Sequence, residues 1–318
     1  MLLHILFVVI GATLVLVGAD KLTDGAVSVA RRFHIPEMVI GLTIVAFGTS
    51  LPEFMVSLLA SIRGASDMSL GNIVGSNLFN TLMIVGFSAL FCPIVVSKTT
   101  VAKDIPFSLL ASVVLPALAL DVMVSGGAAD VLTRGDGLVL LGFFAIFMAY
   151  TFSMAKSGNA EMEVGEGTPM SVGRMIVYIV LGLVGLIAGG ELFVDGACGI
   201  ARTLGVSDAV IGLTLVAGGT SLPELATSVV AARKGRSEMA IGNVIGSNLF
   251  NIFWVVGMCA AIRPMAVMGI STTDFAMLLA GSLLFWLFAR TKHRVERWEG
   301  VVLVACYVGY VAWLVLSL

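Results

Sequence analysis

Apolar stretches of about twenty residues recur from one end of this chain to the other, and that recurrence limits what it can fold into. Each stretch is long enough to cross roughly 30 Å of hydrocarbon, where backbone N–H and C=O groups must be satisfied within the protein. The 318 residues are 58% hydrophobic and only 12% charged, with a mean hydropathy of +1.06, too little polar surface for a soluble domain. The alternating pattern of a membrane β-barrel is absent. The expected class is therefore an all-α polytopic membrane protein whose first partner is the lipid bilayer. A net charge of −2 gives no reason to expect nucleic acid. Cys92, Cys198, Cys259 and Cys306 stand singly in or beside apolar segments and read as small buried side chains rather than a disulfide or metal framework.

Polar breaks divide the chain into ten spans, at about 2–30, 37–62, 69–92, 104–123, 135–154, 173–201, 208–232, 239–262, 272–290 and 298–317. The first segment lacks a charged leader and a small-residue cleavage site, so it reads as a retained membrane helix. Of the eighteen Lys and Arg, thirteen fall in the loops after odd-numbered spans and four on the opposite side, with Lys21 inside the first span. The positive-inside rule then places the basic loops in the cytoplasm and both termini outside. No soluble domain is expected; an acidic, Gly-rich loop at 155–172 separates two halves, 1–154 and 173–318.

The halves are copies. Adding 171 to a position in the first finds its counterpart in the second: "GLTIVAFGTSLPE" (41–53) becomes "GLTLVAGGTSLPE" (212–224), and "GNIVGSNLFN" (71–80) becomes "GNVIGSNLFN" (242–251). Between 41–80 and 212–251, roughly 24 of 40 positions are identical. Five spans per half is an odd number, so the copies are expected to insert with opposite orientation. Inverted repeats of this kind belong to transporters, with the binding site near the midplane at the repeat interface. Spans 1 and 6, long enough to tilt and lying outside the paired motifs, are the expected moving parts.

Each motif places a helix breaker and an acid inside an apolar run. Pro52 and Pro223 remove one backbone donor each, which leaves the carbonyls of Gly48 and Gly219 without a helical partner. Glu53 and Glu224 add a formal charge at the same depth, and Thr49, Ser50, Thr220 and Ser221 lie within one helical turn of them. Asn72, Ser76 and Asn80, with Asn243, Ser247 and Asn251, form a four-residue stripe in each following span. These hydroxyls and amides have two readings, as ligands or as interhelical hydrogen-bond glue. Gly71/Gly75 and Gly242/Gly246 are G-x-x-x-G pairs whose simplest role is close packing. No Lys or Arg lies in the neighbouring segments to neutralise Glu53 or Glu224, which favours a mobile cation as their partner. A set of hard oxygens suits Ca²⁺ and Na⁺ and is a poor match for Zn²⁺ or Cu. Asp20, Lys21, Asp24, Glu191 and Asp195 read as structural or vestibule residues, with Lys21 the candidate partner of Asp20 or Asp24.

The paired "GTSLPE" and "GNxxGSNxxN" motifs resemble those of the cation/Ca²⁺ antiporter superfamily, where they are called α-repeats. Over nearly its whole length the chain is similar to the prokaryotic sodium/calcium exchangers. The resemblance implies that Glu53 and Glu224 are central carboxylates shared by Ca²⁺ and Na⁺, and that Thr49 and Thr220 offer backbone carbonyls to Ca²⁺. It further implies that Ala46, Ala217, Ser50, Ser221, Ser76 and Ser247 occupy Na⁺-site positions, and that Asn80 and Asn251 line the centre. Potassium-dependent and archaeal relatives carry Asp at one of the positions matching Asn80 and Asn251. With Asn at both, this chain is not expected to cotransport K⁺. Gly218 stands where the first repeat has Phe47, a break in the repeat symmetry.

The expected function is exchange of Na⁺ for Ca²⁺ by alternating access, in a prokaryotic inner membrane. No resident cofactor or enzymatic activity is expected, and the site is compatible with a monomer. H⁺/Ca²⁺ exchange on the same glutamates is the alternative. Proton-coupled relatives carry Glu where this chain has Gly75 and Gly246, which argues against it. An intramembrane hydrolase would not need two antiparallel copies of one site, and a channel would show uncoupled flux.

Overall fold

The computed structural model describes residues 1–157, 170–205, 211 and 217–316. Helix α1 spans Leu2–Phe33, α2 Glu37–Thr49, α3 Leu51–Arg63, α4 Ser66–Phe91, α5 Thr100–Ala119 and α6 Arg134–Lys156. The second half continues with α7 Val172–Thr203, α8 Leu222–Arg233, α9 Ser237–Ile262, α10 Thr272–Lys292 and α11 Arg297–Leu316. Eight of these helices are long and apolar enough to cross a membrane, and α2 with α3 forms a further span bent by 50°. Helix α8 is the described part of the expected seventh span, whose start at 208–216 lies, apart from residue 211, outside the described residues. Most of the expected 155–172 loop lies outside them too. The protein is all-α and polytopic, as its hydropathy demands.

Span boundaries fall within a few residues of those read from the sequence. The largest shift is at α5, expected to begin at Asp104 but starting at Thr100. Asp104 is buried inside the helix because a side chain from α6 meets it: Tyr150 Oη donates to Asp104 Oδ1 at 2.9 Å. Tyr310 of α11 meets Asp274 of α10 in the same way at 2.7 Å.

Burial recurs between the halves. In α4 and α9, 78% of the most apolar stretch is buried, against 22% in α1 and α7 and 17% in α6 and α11. Helices α4 and α9 therefore form the centre, with α2, α3 and α8 packed on them and α6 and α11 outermost. Two short antiparallel ladders tie the ends together: β1 (Ile94–Val95) pairs with β4 (Arg294–Val295), and β2 (Val131–Leu132) with β3 (Met265–Ala266). Gly64 and Gly235, 171 residues apart, take φ values of 82° and 73° in the tight turns after α3 and α8, a conformation that disfavours other residues.

Helices α1 and α7 pack on each other far more extensively than on the rest of the protein. The seam is lined by Gly11, Gly18, Gly182, Gly189 and Gly196, each facing backbone of the other helix. A Cβ at Gly182 would stand 2.7 Å from the Leu22 nitrogen, so only glycine permits this approach. Gly182→Val should therefore destabilise the protein by at least the ~1–3 kcal/mol typical of overpacking. Thermal unfolding in detergent measures it, with Gly142→Val, at a position with nothing within 4 Å of an added Cβ, as the tolerated control.

Candidate functional site

The proline motif ends one helix and begins another. Helix α2 stops at Thr49, Ser50 leaves helical geometry at φ −82° and ψ 5°, and α3 starts at Leu51 with Pro52 in its first turn. There a missing N–H is harmless, because the first N–H groups of a helix have no intrahelical partner. The helix breaker read from the sequence is a full break here, with a fresh helix N-terminus after it. The next residue, Glu53, sits where those free N–H groups and the helix dipole favour negative charge. Ser221, Pro223 and Glu224 repeat the arrangement at the start of α8.

The two glutamates are each 1% exposed or less. Each is held by the other half: Ser221 Oγ donates to Glu53 Oε1 at 3.0 Å, and Ser50 Oγ to Glu224 Oε1 at 3.1 Å. Thr49 and Ser247 stand beside Glu224, Thr220 stands beside Glu53, and the two carboxylates lie close enough to repel each other. Glu53, Glu224, Thr49, Thr220, Ser50, Ser221 and Ser247 thus come together as one cluster. Ala46 is buried one turn before the break, and its carbonyl accepts from the Ser50 N–H at 3.0 Å and the Thr49 hydroxyl at 3.3 Å. Ala217 opens the short described turn before Thr220, and its side chain lies outside the described residues.

Asn72 and Asn243 have a different role from the rest of their stripes. Their amides donate to the carbonyls of Glu53 and Glu224 at 3.3 Å each, and to Ser57 and Ser228 at 2.9 Å each. They fasten the glutamate-bearing helix starts to α4 and α9. Gly242 and Gly246 lie against Met38, Gly41, Leu42 and Ala46 of α2, close packing as expected, whereas an added Cβ at Gly71 or Gly75 would meet nothing within 4 Å, so close packing does not account for that pair here.

Asn80 and Asn251 are the second residues of the wider π-helical turns at Phe79–Ile84 and Phe250–Val256, a feature common at functional sites. Asn251 Nδ2 donates to Asn77 Oδ1 at 3.1 Å, and Asn80 Nδ2 to Asn248 Oδ1 at 3.2 Å. Asn248 Nδ2 continues the chain to Thr81 Oγ1 at 2.8 Å. Because their NH₂ groups are committed, Asn80 and Asn251 keep their oxygens free. Sequence reasoning does not single out Asn77, Asn248, Ser57 or Ser228, although all four recur unchanged at the 171-residue spacing.

Seven buried oxygens in this region have no hydrogen-bond partner among the described residues: Thr227 Oγ1, one turn beyond Glu224, and six others, Oε2 of Glu53 and Glu224, Oγ of Ser76 and Ser247, and Oδ1 of Asn80 and Asn251. The six are three repeat-related pairs. An unsatisfied buried acceptor costs about 1–3 kcal/mol, so six approach the ~5–15 kcal/mol total stability of a typical domain. No buried Lys or Arg occurs among the described residues, and neither glutamate forms an ion pair with one of them. Such a set of hard oxygen donors is chemically suited to hard cations. The repeat symmetry is broken at Phe47, whose ring lies 5.6 Å from that of Phe250, whereas Gly218 faces Phe79 with no ring of its own.

The asparagine relay makes a direct prediction. Asn248→Ala deprives Asn80 and Thr81 of a partner at once and should destabilise the protein by about 1–3 kcal/mol. Thr81→Val removes one link and should cost less; melting temperatures of the two variants compare them.

Residues 3–153 and 174–316 match the model of the family described as "Sodium/calcium exchanger protein". The putative antiporter CaxA of Alkalimonas amylolytica is 37% identical over 320 residues, 98% of either chain. The sodium/calcium exchanger MaX1 of Methanosarcina acetivorans is 33% identical over 344 residues, covering 96% of this chain and 97% of its own. Among solved structures, the sodium-calcium exchanger NCX_Mj superposes with a TM-score of 0.83 at 36% identity, over 98% of both chains.

Proposed function

Because the chain belongs to the sodium/calcium exchanger protein family, a family of transporters rather than enzymes, we propose that it exchanges Na⁺ for Ca²⁺ across a prokaryotic inner membrane by alternating access. The observation that carries this reading is the two-fold set of buried, partnerless oxygens around Glu53 and Glu224. Thr49, Thr220, Ser50, Ser221, Ala46, Ala217, Ser76, Ser247, Asn80 and Asn251 complete the proposed ligand set, through side chains or backbone carbonyls. Residues 1–154 and 173–318 form the two oppositely inserted repeats, joined at 155–172, with both termini outside.

Charge balance then couples the two ions. Two carboxylates in a low-dielectric centre are expensive to leave uncompensated. Ca²⁺ neutralises the pair, and so do Na⁺ ions spread over the neighbouring oxygen sites. An empty site crosses the membrane slowly because it carries bare charge, so each passage is bound to one ion species or the other. Hard oxygen ligands without thiol or imidazole fit both cations. Each tenfold Na⁺ gradient supplies about 1.4 kcal/mol per ion toward Ca²⁺ export.

The moving element is the α1–α7 pair. Its glycine seam locks the two helices together, while its contacts to the centre are sparse, so the pair shifts as one body across α2, α3 and α8. The α2/α3 and α8 breaks face it: a side chain at Gly48 would collide with Leu183 and one at Gly219 with Val194, both on α7.

Proteoliposomes loaded with Na⁺ should take up Ca²⁺ when Na⁺ is diluted outside, at a rate indifferent to K⁺. An imposed pH gradient alone should drive none. Uptake that follows the pH gradient and ignores Na⁺ would instead establish proton exchange at the same glutamates.

A further inference from the structure

The α1–α7 pair carries charges that the ion site does not use. Lys234, just beyond α8, reaches Oδ1 of Asp20 and Oδ1 of Asp24 at 2.6 Å each, and the Asp20 carbonyl at 3.3 Å. Lys21, the partner expected from sequence, stands 3.5 Å from Asp20 and turns to the Tyr178 ring of α7, 5.0 Å from its centre. One lysine from the central body therefore pins two acids, one turn apart, on the mobile pair.

The repeat holds a second set of the same signs. At a spacing of 171, Lys234 corresponds to Arg63 at the end of α3, Asp20 to Glu191 and Asp24 to Asp195 on α7. In the structure Arg63, Glu191 and Asp195 are all exposed, and none forms an ion pair among the described residues. Packing shows the same asymmetry: α1 lies along α8, and the equivalent pairing of α7 with α3 makes no comparable contact. One of two matching clusters is shut and the other open.

We propose that Lys234 with Asp20 and Asp24, and Arg63 with Glu191 and Asp195, are alternating latches that set which face of the membrane the site opens to. When the α1–α7 pair shifts, the first cluster parts as the second forms. Inverted topology puts the Lys234 cluster at the cytoplasmic end and the Arg63 cluster at the external end, so this structure is shut toward the cytoplasm. These six residues position the moving pair and touch no transported ion. The Lys234 cluster is partly exposed, with side chains 31–42% accessible, so it biases the two states by a few-fold without locking either. A latch that must open in every cycle requires that weakness.

The inference rests on the alternating-access reading above and is tested through sidedness. Half-saturation for Ca²⁺ is measured on the external face in right-side-out vesicles and on the cytoplasmic face in inside-out vesicles. Lys234→Gln should raise the external value about threefold and lower the cytoplasmic one, because it depopulates the outward-open state. Asp24→Asn should act in the same direction more weakly, and supplies the answer should Lys234→Gln not fold. Arg63→Gln should do the reverse, and Lys234→Arg should stay near wild type. Raising ionic strength with choline chloride should shrink each shift, a response that loss of packing would not give. The proposal fails if Lys234→Gln and Arg63→Gln move a given face's value the same way, or if neither moves it. Wild-type Na⁺-driven uptake in the same vesicles keeps failure of the exchange reading distinct from failure of the latches.

Discussion

Two buried carboxylates with no protein cation beside them among the described residues set the terms for the rest of this structure. Glu53 and Glu224 are sealed from solvent, close enough to repel, and offered only hydroxyls, amides and carbonyls. The fold answers this with the devices available to it. A helix start lies beneath each carboxylate, a serine from the opposite repeat holds one oxygen, and an asparagine ties down each backbone carbonyl. These contacts orient the charge without cancelling it. What remains is a demand for a cation, and in the proposed function that demand is what transports Ca²⁺ and Na⁺.

Duplication makes such a site possible. Neither half completes it alone, because Ser50 serves Glu224 and Ser221 serves Glu53. The asparagine relay likewise crosses between α4 and α9. In the proposed function the copies insert in opposite senses, so the same chemistry faces both sides of the membrane. The small departures from symmetry, such as the Phe47–Phe250 contact without a counterpart at Gly218, then distinguish one approach from the other.

Much of this is legible in the amino-acid sequence. Hydropathy dictates the class, and the 171-residue spacing picks out the glutamates, the hydroxyls and the asparagines of the cluster. Chemistry that depends on a partner far away along the chain is not legible. Nothing local to Asn77 or Asn248 marks them as the residues that commit the amides of Asn80 and Asn251. The π-helical turns insert a residue without a compositional signature. Pro52 reads as a helix breaker, but only the geometry of Ser50 shows that the break supplies Glu53 with a fresh helix N-terminus. Proximity along the chain finds the Lys21–Asp20 pair but not Lys234, which meets both Asp20 and Asp24 because the α1–α8 packing brings that side chain within reach.

Calcium titration of the purified protein by calorimetry, in choline chloride and then in rising Na⁺, tests the shared site most directly. Na⁺ should displace bound Ca²⁺ competitively, and either Glu53→Gln or Glu224→Gln should abolish Ca²⁺ binding while the variant stays folded. Ca²⁺ binding that ignores Na⁺, or that survives the loss of either glutamate, would contradict that shared site.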